Sequence, residues 1–160
     1  MLLFVVGCPG AGPPAKPDVE TFDAPILYVC DTVDILFVID NSDSMVAEQA
    51  NLIDNFPRFI ERIEGIEPPI RSFHVGVIST DLGAGPFTIG ENCSPPGDDA
   101  RLQHEARGAG CSGEYPPFLE GPATTLAGDF ACIAQLGDDG CGFEQQLEAA
   151  LKALRAERDE

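Results

Sequence analysis

A chain of 160 residues, 44% apolar and 22% charged, has the length and composition of one ordinary globular domain, which excludes a wholly disordered or collagen-like polymer. Its 27 acidic residues against 9 basic give a net charge of −18. A surface this negative repels phosphate backbones and anionic headgroups, so nucleic acid is not an expected partner, and no basic stripe reverses this. Acidity suits solubility and the collection of divalent cations. Most of these carboxylates read as a solvated face, and only those at special positions carry chemistry.

The N-terminus reads as an export signal in miniature. Met1 to Val6 is apolar and is followed by Gly7 and Cys8. The run is far shorter than the roughly 20 apolar residues that cross a bilayer. Val5-Val6-Gly7-Cys8 resembles a bacterial lipobox, in which a small residue precedes a cysteine that is lipidated and becomes the mature N-terminus. A signal peptide also carries a charged start and a longer apolar stretch. Both are missing here, so an upstream start is expected. Residues 9–29 are a Pro/Gly/Ala-rich spacer of the semi-rigid kind. The expected organisation is a signal-like segment at 1–8, a linker at 9–29, and one domain at 30–160 whose fold begins near Ile26. The chain is thereby expected to be exported and held at the cell envelope by a lipid on Cys8, its only link to a membrane.

Val33 to Ile39 is a nearly continuous apolar, β-branched run, the pattern of a strand buried on both faces. Val46, Ala50, Ile53, Phe56, Ile60 and Ile63 then recur at helical spacing, with Pro57 interrupting the backbone bonding and Gly65 and Pro68-Pro69 ending the element. Phe73 to Ser79 is a second strand-like run. Strand, helix and strand in about fifty residues form a βαβ unit with parallel strands. From 81 to 128 glycine and proline dominate, so a long loop with at most a short hairpin is expected; a loop this long is uncommon unless functional or stapled. A short helix is predicted over Phe130 to Leu136. A last amphipathic helix is marked by Phe143, Leu147, Ala150, Leu151 and Leu154.

The six cysteines, Cys8, Cys30, Cys93, Cys111, Cys132 and Cys141, contain no Cys-x-x-Cys pair. A zinc ribbon or thioredoxin-type motif therefore has no support. Dispersed cysteines in Gly/Pro-rich loops read as disulfides in an oxidising compartment. Spacing favours Cys93–Cys111 and Cys132–Cys141 as local staples, although spacing alone leaves the connectivity open. With Cys8 lipidated, Cys30 is the odd one out.

The chemistry is expected where the first strand ends. Ligands on open parallel sheets bind beyond the carboxyl ends of strands. Asp40 stands there, followed by Ser42 and Ser44. One carboxylate and two hydroxyls supply part of the all-oxygen shell of a hard divalent cation, Mg²⁺ first with Mn²⁺ or Ca²⁺ as substitutes, and leave positions for water and a ligand.

The stretch Val33-Asp34-Ile35-Leu36-Phe37-Val38-Ile39-Asp40-Asn41-Ser42-Asp43-Ser44-Met45 resembles the opening of a von Willebrand factor type A domain, whose metal-ion-dependent adhesion site carries Asp-x-Ser-x-Ser after its first strand. Phe73 to Asp81 resembles the family's second strand, and Gly140 to Leu154 more weakly a later loop and helix. The resemblance implies a three-layer α/β fold with a doubly wound, mostly parallel sheet, and a metal held by Asp40, Ser42 and Ser44. The family also uses a loop threonine and a later aspartate. Gly140-Cys141-Gly142 occupies the threonine's place; Thr124 and Thr125 are distant candidates, and Glu144 is a substitute that is not adopted. The later strand with its aspartate is missing, so a truncated or reduced domain is expected. The implied function is divalent-cation-dependent binding of a protein partner that offers a carboxylate.

Plainer readings stand beside this one. Asp40, Ser42 and Ser44 also suit a helix N-cap. His74 reads as a core or edge histidine and His104 as a loop residue without metal-spaced neighbours. The cysteines lack a partner histidine and read as structural. A phosphoryl-accepting Asp-x-Asp is not met, since Ser42 stands at the second position and removes the general acid. No phosphate loop, Ser-His-Asp order or zinc motif is present, so an enzyme is not expected. The competing function is a metal-free structural lipoprotein domain.

Overall fold

Thr32–Ile39 and Ser72–Ser79 are both apolar on two sides, so each needs cover above and below and a hydrogen-bonded neighbour along its edges. The computed structural model describes residues 3–7 (backbone), 31–87, 89–90 and 92–155 and meets these needs with a mixed α/β architecture. In chain order the elements are β1 (Leu3–Gly7), β2 (Thr32–Ile39), a one-turn 3₁₀ helix (Asp43–Met45), α1 (Val46–Glu64), β3 (Ser72–Ser79), β4 (Leu119–Gly121), α2 (Leu126–Ala134) and α3 (Gln146–Leu154).

The strands lie in the order β1-β2-β3-β4. β2 and β3 are parallel, from Thr32 beside Ser72 to Ile39 beside Ser79. β1 and β4 flank them antiparallel. The βαβ unit is therefore as expected, but the sheet is mixed: among the described residues, parallel pairing is confined to its centre. The run 3–7, expected to lie outside a fold starting near Ile26, pairs along β2, with Val5 beside Leu36. A strand as apolar as β2 leaves a costly unpaired edge, and an apolar segment satisfies it. The expected lipidation of Cys8 and the pairing of Cys30 fall outside the described residues.

Alternation sends β2 and β3 side chains to two faces. Ile35, Phe37, Ile39, Phe73, Val75 and Val77 meet Phe56, Ile60 and Ile63 of α1 and Leu126, Phe130 and Ile133 of α2. Phe56 stacks on Phe130 with ring centroids 3.7 Å apart, and Phe37 meets both rings. The opposite face, Leu36, Val38 and Ile78, packs on Ala100, Ala149 and Ala150. Helices thus cover both faces of the sheet.

Two expectations about the second half are corrected. α3 buries Ala149 and Ala150, while Phe143, Leu147, Leu151 and Leu154 are exposed, Leu147 at 72%. Leu36, Val38 and Ile78 already fill that face, with Leu82 and Leu102 against them, so the helix approaches by its smallest residues. The region 81–128 is not one loop, since Leu119–Gly121 adds to β3 and α2 starts at Leu126, earlier than expected.

The four cysteines expected in bridges are all bridged, but with exchanged partners: Cys93–Cys141 and Cys111–Cys132. A disulfide needs Cα atoms about 4.4–6.8 Å apart. The chain brings Cys93 to 4.6 Å from Cys141, and Cys111 to 5.6 Å from Cys132 on α2. Three-dimensional proximity, not nearness in sequence, selects the partners. Among the described residues no helix is long and apolar enough to cross a membrane.

Candidate metal centre

Ile39 and Ser79 form the last register pair of the parallel strands, and the Thr80 N–H donates to the Ile39 carbonyl at 3.0 Å. Asp40 and Thr80 therefore leave the sheet side by side at its carboxyl edge. Both are buried, as are Asn41, Ser42 and Asp81. The Ser42 N–H donates to Asp40 Oδ1 at 2.9 Å, an Asx turn that directs the chain into the 3₁₀ turn. Asp40 is 2% and Ser42 3% exposed, so the first two members of the Asp-x-Ser-x-Ser motif are brought together below the surface. Ser44 lies within the 3₁₀ turn and is exposed.

The wall opposite comes from residues 137–145, which are held over the motif by hydrogen bonds at several points. The Gly140 N–H donates to the Asn41 carbonyl at 2.9 Å. Gln49, buried one turn into α1, donates from Nε2 to the carbonyls of Asp40 (3.0 Å) and Gly137 (2.8 Å) and accepts the Gly137 N–H at 3.2 Å. The Cys141 N–H donates to Asp81 Oδ2 at 3.3 Å, while Asp81 Oδ1 accepts the Gly83 N–H at 2.7 Å. The Gln145 N–H donates to the Thr80 carbonyl at 3.2 Å, and its side chain donates to the Gly83 carbonyl at 2.8 Å. A Cβ at position 140 would stand 2.4 Å from the Asn41 side chain, so any residue larger than glycine there has to displace that amide.

This frame carries Glu144 to the motif. The Ser42 hydroxyl donates to Glu144 Oε1 at 3.4 Å, and Gln146 Nε2 donates to Oε2 at 3.3 Å. Thr124 and Thr125, the distant threonine candidates, lie at the start of α2 and are exposed. His74 is half-buried on the inner strand β3, between β2 and β4, and pairs with Asp34 of β2 at 2.7 Å, so it is neither the core nor the edge histidine expected.

Sequence reasoning missed Gln49, Asn41 and Asp81 as builders of this site. Gln49 had a readable signal, since positions 49, 53, 56, 60 and 63 form one helical stripe and a polar residue in it asks for a buried partner. Asp81 and Asn41 carry no such mark. Farther along the same loop, Asp98 accepts from Asn41 Nδ2 at 3.3 Å and faces Arg107 at 3.8 Å. Lys152 of α3 bonds Asp99 and holds that carboxyl below its ordinary range, against the opposing effect of burial, with Arg101 adding to the lowering.

A hard divalent cation asks for oxygen ligands. Asp40, Ser42 and Glu144 offer two carboxylates and a hydroxyl, which fits Mg²⁺ or Mn²⁺ in ligand type. Two buried oxygens in the same junction, Asn41 Oδ1 and Thr80 Oγ1, have no hydrogen-bond partner among the described residues. An unsatisfied buried polar atom costs about 1–3 kcal/mol, and a cation or its bound water is one way to offset that. Among the described residues no three His, Cys, Asp or Glu side chains are grouped to hold a metal, so the fit depends on neutral oxygens. Comparison of the chain with protein-family models, with curated proteins and with solved structures finds no match.

Proposed function

We propose that this chain is a divalent-cation-dependent protein-binding module of the von Willebrand factor A kind, with a doubly wound sheet and the cation at Asp40, Ser42 and Ser44. One observation carries the reading: Asp40 and Ser42 are buried together at the carboxyl edge of a parallel strand pair, across from a second carboxylate. Asp40 supplies charge, and Ser42 and Ser44 supply neutral oxygens. A bound cation would supply an electrophilic site for the acidic side chain of a protein partner. Neither a hydrolytic nor a phosphoryl-transfer role is proposed.

Export and an envelope location belong to the same proposal and are supported by two disulfides in a chain of this size. Lipidation at Cys8 would release residues 1–7, which include β1. An anchored chain and a chain retaining β1 are thus alternatives, told apart by the intact mass of the exported protein.

The Ser42-to-Asp40 bond also favours a second reading, in which the motif only shapes the entry to α1 of a metal-free structural domain. Calorimetric titration of the full chain with Mn²⁺ and Mg²⁺, with Asp40→Ala as control, separates the two. The cation-site reading expects saturable heat and a raised melting temperature in the parent and neither in the variant. A parent protein whose heat and melting temperature ignore both ions leaves the structural reading in place.

A further inference from the structure

We infer that the outer edge of β2 is a strand-acceptor site: once residues 1–7 leave, it takes an extended, uncharged apolar segment of another polypeptide in the place of β1. The opening of that edge rests on the proposed lipidation at Cys8, and the inference goes beyond it to what the processed protein binds.

The structure holds both the acceptor and a segment of the kind it accepts. Leu3–Gly7, with the sequence Leu-Phe-Val-Val-Gly, lies antiparallel along β2, from Leu3 beside Val38 to Gly7 beside Asp34. It is the outermost strand, so among the described residues β2 is its one neighbour in the sheet. Residues 8–31 separate it from Thr32. A hairpin connection takes about 2–5 residues, so no tight turn sets the register of β1. Its place is set by the ladder to β2, which the backbone of any extended segment can make.

Without β1 this edge is costly to leave bare. Ile35 to Ile39 contains no charge and no proline, the residues that guard exposed edges. Ile35, Phe37 and Ile39 pack toward α1 and α2, and Leu36 and Val38 pack on the α3 side. The unpaired N–H and C=O groups would stand between two apolar faces. An apolar strand satisfies them and extends both faces, whereas a charged one would bring its charge into that setting. The apolar window ends at the exposed Asp34, where β1 also ends. A second copy is the poorer occupant. Residues 1–7 hold no charged side chain, so processed copies would keep the net charge of −18 and repel one another.

The test uses the full chain and a variant carrying Val5→Pro and Val6→Pro. Neighbouring N–H groups of a strand point to opposite edges, so the two prolines together remove a ladder donor and release β1. The probe is a fluorescent peptide with Leu-Phe-Val-Val-Gly between neutral Ser-Gln pairs, and the control peptide has both valines replaced by proline. The probe is expected to bind the variant at least about tenfold more tightly than the parent, whose own strand competes at high effective concentration. It should also return the amide exchange of Ile35 to Val38 to the parent's level, while the control peptide does neither. Equal binding to parent and variant, or no binding to the variant, overturns the inference. A variant that unfolds supports it if the probe restores the parent's melting transition and overturns it if not. A variant that doubles its mass and excludes the probe assigns the edge to a second copy and overturns the partner reading. The processing step is read separately: an exported protein whose intact mass still includes residues 1–7 overturns the opening of the edge, whatever the peptide does.

Discussion

The two faces of the sheet are built on different principles. Under α1 and α2 the contacts are large and apolar: Phe37, Phe56 and Phe130 form one aromatic group, sealed by Ile35, Ile60, Leu126 and Ile133. Under α3 the helix contributes alanines, and the neighbouring loops are held by a disulfide, by carboxylate-to-backbone bonds and by the Lys152–Asp99 pair. The first face holds the strands in place. The second holds loops over the carboxyl edge, where Asp40, Ser42 and Glu144 meet. Stability and the candidate site thus draw on different kinds of interaction, and each can be disturbed without the other.

The largest test of that division is Phe130→Ala. It removes the ring stacked on Phe56 at 3.7 Å, and a loss of about 3–5 kcal/mol is expected in denaturant unfolding. A loss below about 1 kcal/mol would mean that the aromatic face is not the main source of stability. Replacing Cys93 and Cys141 together by alanine should cost less, about 2–4 kcal/mol. It should also free the 137–145 segment, seen as faster amide exchange at Cys141 to Gln145 with the α1 amides unchanged. Exchange rising equally in α1 would erase the distinction between the faces.

The smallest effect is expected from Lys152→Met, at most about 1 kcal/mol because both partners are partly exposed. Its pH dependence is the sharper readout. Lys152 lowers the Asp99 carboxyl from its usual value of 3.8, so the pair's stabilisation is present above that pH and fades as pH falls through the lower, folded-state value. The melting-temperature gap between parent and variant should be steady near neutrality and close on acidification below 3.8. A gap independent of pH would assign the effect to packing of the lysine stem instead.

Local pattern made much of the molecule legible. The apolar runs gave β2 and β3, the stripe ending at Ile63 gave α1, and Asp40-Asn41-Ser42 marked the turn between β2 and α1, because each depends on neighbours a few residues apart. The class of fold and the position of the candidate centre at a strand's carboxyl end follow from these alone. Tertiary structure decided the rest. Cys93 chose a partner 48 residues away over a nearer one, α3 turned its alanines inward because the sheet had no room for leucines, and Glu144 met Ser42 across 102 residues. Periodicity carries no measure of distance between remote segments, and only the packed loops bring those groups within bonding range.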